Sequence, residues 1–183
     1  MGTRSLIAVH VDKRYGVAQY NQWDGDPGGQ GTGVLDFLKD MDKDKFIEKV
    51  RATKFATQED YNRINTKHGK EWARHYPQMS RDTGSDILQM VQEFEPGIML
   101  KNSIDFAGDS LMCEWAYVVD FDENALEVYK GFNKKPLDKT ERFADTKIEG
   151  KEYYPVYLVM QWDLSALPSD EEFMAELNDD EDE

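Results

Sequence analysis

The residues best placed to do chemistry lie near the amino end. Asp24 to Gly33 (DGDPGGQGTG) holds five glycines and one proline in ten residues, so it reads as a loop with several positive-φ positions or positions without room for a Cβ. It follows a β-rich run and precedes an apolar-periodic one, with Thr32 as the expected helix N-cap. Backbone N–H groups at a helix N-terminus, approached closely through glycines, form a generic anion site. Arg4 and Arg81 are the natural partners of such an anion, because planar guanidinium groups suit phosphate or carboxylate. The expected ligand-binding set is therefore Arg4, Trp23, Asp24, Gly29, Gly31, Thr32 and Arg81. The stretch is not a P-loop, since no Lys-Ser or Lys-Thr follows the glycines, nor a dinucleotide fingerprint, since no βαβ unit follows.

A second chemistry is written at Gly2-Thr3. A Gly-Thr junction that is cut frees a threonine able to serve as nucleophile and, through its own amine, as base. This gives an alternative reading as a small hydrolase of N-terminal-nucleophile type centred on Thr3, with Asp24 or Arg4 in support. His10, His68 and His75 lack a metal-ligand spacing. Asp24 and Asp26 could hold a hard cation, but Asp-Gly turns form without one. No metal and no cofactor is expected. Tyr15, Tyr20, Trp23, Trp115, Tyr117 and Tyr129 could line a stacking pocket, although aromatics in strands usually pack a core. Cys113, the single cysteine, sits among apolar residues as a buried structural thiol would.

These groups must be positioned by regular elements. Ser5–Val11 and Gly16–Asn21 read as an antiparallel hairpin, with Leu6, Ala8 and His10 on one face and Ile7, Val9 and Val11 on the other. Helices fit Val34–Met41, Asp44–Ala52, Gln58 to about His75, and Asp82–Phe94 with Ser80 or Asp82 as cap. Strands then fit Ile98–Leu100, Glu114–Phe121, Ala125–Tyr129 and Val156–Trp162, with Asp122-Glu123-Asn124 as a hairpin turn and Asp170–Leu177 as a last short helix. The order predicts an α+β fold, an antiparallel sheet of N-terminal hairpin and C-terminal strands with the central helical segment packed on it. One domain is expected over residues 1–177.

Charge narrows the partners. The chain carries a formal −15, and nine of the fourteen residues from Asp170 to Glu183 are acidic. Residues 178–183 are expected to form a disordered acidic tail, because they have no apolar side chain to bury. Direct nucleic-acid binding is disfavoured by this charge, whereas a basic protein surface would be attracted by it. No apolar run approaches the roughly 18 to 20 residues of a membrane span, and a cytoplasmic location is expected.

MGTRSLIAVH with YNQWDGDPGGQG, and later SRDTG (Ser80–Gly84) and CEWAYVVDFDENALEVYKG (Cys113–Gly131), resemble a family of bacteriophage and fungal proteins. Members open with Met-Gly-Thr-Arg and continue through Tyr-Asn-Gln-aromatic-Asp and a Pro-Gly-rich loop. The resemblance covers about half the chain and carries no mechanism with it. Because the chain lacks a convincing set of nucleophile, base and orienting group, the favoured reading is a phage-type binding or inhibitory protein, directed at a basic host protein or sequestering a small anionic ligand such as a nucleotide through the glycine loop.

Overall fold

The computed structural model describes residues 2–146, 148–150 and 152–178. Its centre is a five-stranded sheet in the order β2-β1-β5-β6-β7, formed by β1 (Ser5–Val11), β2 (Arg14–Asn21), β5 (Trp115–Asp120), β6 (Ala125–Lys130) and β7 (Tyr157–Asp163). Two residues with positive φ, Asp12 (54°) and Lys13 (63°), make the tight turn between β1 and β2. Asn124 (53°) does the same between β5 and β6, at the turn read from the sequence. The helices are α1 (Thr32–Asp40), α2 (Lys43–Ala52), α3 (Gln58–His68), α4 (Trp72–His75), α5 (Asp86–Glu93) and α6 (Asp170–Asn178). Two short strands, β3 (Lys54–Phe55) and β4 (Met99–Leu100), pair in parallel as a separate ribbon.

The fold is α+β as expected, and three corrections sharpen it. The sheet is mixed, because β1 runs parallel to β5, with Ser5 opposite Trp115 and His10 opposite Asp120. Burial explains this: β1 is covered on both faces and reads as a near-continuous apolar run, the signature of a parallel-paired central strand. The helix expected from Gln58 to His75 is two helices, broken at Gly69, whose φ is 54°. Asn178 belongs to α6, while the rest of the proposed acidic tail, residues 179–183, lies outside the described residues.

Alternation on the strands builds two cores. Ile7, Val9, Val17, Tyr117, Val119 and Val128 face Val34, Leu35, Phe46, Ile87, Leu88 and Phe173 from the helices. Leu6, Ala8, Ala116, Val118 and Tyr129 on the opposite face are covered by Ala107, Cys113, Phe143 and Val156, from connecting segments rather than α-helices. A fully buried Leu or Phe contributes about 1.5–3 kcal/mol, so both layers stabilise the sheet. None of the helices is long and apolar enough to cross a membrane, among the described residues.

Candidate functional site

The glycine loop leaves β2 at buried Asn21 and is tied down at once. The Gln22 N–H donates to the Arg81 carbonyl (3.0 Å) and the Gly25 N–H to the Thr3 carbonyl (2.9 Å). Asp24 takes a left-handed φ of 53°. Pro27–Gly31 then forms one wide helical turn running directly into α1. The Gly29 and Gly31 N–H groups donate to the Asp26 carbonyl (3.0 and 3.2 Å) and the Gln30 N–H to that of Asp24 (2.7 Å). These four amides, of Gly25, Gly29, Gln30 and Gly31, are thus turned inward onto carbonyls and cannot cradle an anion. This corrects the expected anion nest.

Two further expectations change. None of the five loop glycines has a left-handed φ; at all but Gly28, what selects glycine is close approach. A Cβ on Gly29 would be driven into the Asp24 carbonyl, one on Gly25 would lie 2.7 Å from Ser5 Cβ, and one on Gly31 would lie 3.0 Å from the Tyr117 hydroxyl. Thr32 is not the cap, being helical itself; its Oγ1 donates back to the Gly28 and Gly29 carbonyls (both 3.1 Å). At α5, neither Ser80 nor Asp82 caps the helix. The Ser85 N–H donates instead to Gln30 Oε1 (2.7 Å), so the loop itself satisfies an amide at that helix start.

Beneath the loop, the Tyr117 hydroxyl donates to the Gly25 carbonyl (2.8 Å). Burial first, then the charge of Asp26, pushes that phenol well above its ordinary value. The arginines are placed by different neighbours. Arg4 donates its N–H to Glu114 (2.8 Å) and its Nε to the Met112 carbonyl (3.1 Å), on the β5 side. Exposed Arg81 is held through its carbonyl by Gln22, on the β2 side. The aromatic set is dispersed as well. Trp115 and Tyr117 enter the helical core, Tyr129 the other core, Tyr15 packs edge-on to His10, and Tyr20 packs on Phe106.

What the loop does present is Trp23, 45% exposed. Its Nε1 donates to Asp82 (2.8 Å), and its carbonyl accepts from Gln30 Nε2 (3.2 Å) and Asn21 Nδ2. The backbone of Gly2 lies so close to the indole that a Cβ there would strike it. The ring is exposed yet immobilised. Exposed Asp82 holds it, and the exposed acids Asp24 and Asp26 follow it in the loop. Beyond Gly33 the acidic surface continues as a shallow groove between α1 and α5, lined by Asp36, Asp40, Asp86 and Gln89, with a volume of about 330 Å³. The Asp36 carboxyl is held above its ordinary value by desolvation first, then by Asp170, against the opposing charge of Lys39.

A second cluster was not anticipated from the sequence. His10 Nδ1 stands 3.3 Å from Asp120 Oδ1 and 3.3 Å from Asp122 Oδ2, a spacing that ligands of a divalent ion could adopt. These carboxylates are already engaged, however. Asp120 accepts from the Asp122 and Glu123 amides and from Arg142, and Asp122 from the Asp12 and Lys13 amides. Arg142 also binds Glu127 and the Tyr15 hydroxyl. The arrangement locks two hairpin turns together and pins the 137–146 segment over the sheet. Burial pushes the Asp120 carboxyl up, but hydrogen bonds from Arg142 and the Glu123 amide, with the guanidinium charge and His10, outweigh it and leave it below the ordinary value. The sequence signal was available: His10, Asp120 and Glu127 interrupt apolar strands.

No known family model, no curated protein and no solved structure matches this chain.

Proposed function

We propose that this chain is a binding protein of phage type, directed at a host protein with a basic surface, and that Trp23 is its anchor. The observation that carries the reading is the immobilised, half-exposed indole inside an acidic rim. Leaving an indole in water forgoes the free energy of its burial, whereas Trp is among the residues most enriched at interface hot spots. Fixing the ring through Asp82 and Gly2, and its backbone through Gln30, lowers the entropy lost on binding. The net charge of −15 and the acids of the α1–α5 groove would speed encounter with a cationic partner and exclude anionic ones. The resemblance to bacteriophage proteins supports a host-directed partner. The hydrolase alternative has only its Gly2-Thr3 junction in support.

The test is photo-crosslinking in cells from a benzophenone amino acid at position 89, at the lip of the acidic groove. A basic protein should be trapped, and trapping should fall at least tenfold when Trp23→Ala is added. Trapping of the same proteins with and without the indole would contradict the reading.

A further inference from the structure

A second site lies where the chain leaves β6. Gly131 to Leu137 (GFNKKPL) is fixed around the buried side chains of Ser110 and Asn133. The Phe132 N–H donates to the Ser110 carbonyl (2.6 Å), the Asn133 N–H to Ser110 Oγ (3.0 Å), and Asn133 Nδ2 to the Pro155 carbonyl (2.9 Å). Asn133 Oδ1 accepts from the Lys135 N–H (3.0 Å), and the Asn133 carbonyl from the Tyr154 N–H (2.7 Å). The segment is therefore a rigid lip. Beside it opens a groove of about 520 Å³, lined among others by Phe132, Lys134, Lys135, Leu137, Glu141 and Tyr157, within the size range of small-molecule sites.

Phe132 is the informative residue. Its φ is 56°, a conformation that bulky side chains adopt rarely and Gly or Asn readily. The residue is 52% exposed, the most of any large hydrophobic residue described, so half of it adds nothing to a core. Folding alone favours another residue there on both grounds, and backbone strain of this kind gathers at ligand sites. The lip also departs from the acidity of the chain. Lys134 and Lys135 are both exposed, with Lys134 Nζ 5.5 Å from the centre of the Tyr153 ring. The acid among the described lining residues, Glu141, is engaged through its carboxylate with the Asp138 N–H (2.7 Å).

We infer that this groove binds a mononucleotide, with the Phe132 ring stacked on the planar base and Lys134 and Lys135 meeting the phosphate. The site is separate from the Trp23 surface and stands or falls independently of it.

The experiment titrates the isotope-labelled full chain with AMP, adenosine and ribose 5-phosphate, following backbone amide resonances. AMP should shift the amides of 131–137 saturably and bind at least tenfold more tightly than either fragment. Phe132→Gly should weaken AMP at least tenfold while raising the melting temperature, because it removes the strain. K134Q/K135Q should weaken AMP similarly and leave the melting temperature unchanged. The inference is overturned if AMP shifts no amide in this segment, if either variant binds within twofold of the parent, or if Phe132→Gly melts lower, which would make the ring structural.

Discussion

Two adjacent glycines of the loop should respond to alanine in opposite directions. At Gly28 a Cβ would lie 3.4 Å from Asp26 Oδ2 and 3.4 Å from Met174 Cε, ordinary contacts, within a helical turn and with no left-handed φ. Gly28→Ala should then restrict the unfolded chain more than it disturbs the folded one and stabilise by about 0.4–1 kcal/mol. At Gly29 the Cβ would run into the Asp24 carbonyl, which itself accepts the Gln30 N–H at 2.7 Å. Backbone must move there, so overpacking of about 1–3 kcal/mol adds to a weakened hydrogen bond of about 0.5–1.5 kcal/mol. For a chain of this size each kcal/mol moves the melting temperature by about 2–4 °C. Thermal unfolding followed by circular dichroism should show Gly28→Ala melting a few degrees higher and Gly29→Ala about 8 °C lower. If Gly29→Ala melts within about 2 °C of the parent, or both move the same way, close approach is not what selects glycine in this loop.

Three further outcomes follow from the rest of the molecule. Arg142→Met, which leaves Asp120 and Glu127 without their cation, should cost about 3–5 kcal/mol in chemical denaturation, and a loss below 1 kcal/mol would remove the lock from the account. Because the Asp120 carboxyl is depressed in the folded state, its contribution is present above its unfolded value of about 4 and lost as pH falls through the lower folded value; Asp120→Asn should flatten the acid limb of stability against pH, and an unchanged limb would refute this. Cys113 is wholly buried, and burial pushes its thiol up, so a thiol reagent should label it only on unfolding; rapid labelling of the native chain would contradict the packing.

Much of the fold was legible in local pattern. Near-continuous apolar runs in SLIAVHV and WAYVVD marked strands buried on both faces, and the turn at Asp122-Glu123-Asn124 announced itself by residue type. The parallel pairing of β1 with β5 was not legible, because about a hundred residues separate the two strands and no turn signature marks such a union. The site was half legible. Glycine density located a special loop, but composition does not distinguish glycines needed for φ from those needed for close approach, nor amides facing outward from amides facing in. Trp23 stood in the expected set as one member among seven; its prominence depends on Asp82 and Gly2 fixing the ring, a contact between distant segments. Phe132 escaped notice because a lone Phe after a strand reads as core, and only its left-handed φ sets it apart.

The central claim, that an immobilised indole in an acidic rim is the binding surface, is tested most directly by calorimetric titration of the cross-linked partner with the parent chain and Trp23→Ala at low and high salt. The indole should be worth at least 2 kcal/mol, about thirtyfold in affinity, and the parent's affinity should fall as ionic strength rises. Equal affinities for the two chains, or binding indifferent to salt, would contradict it.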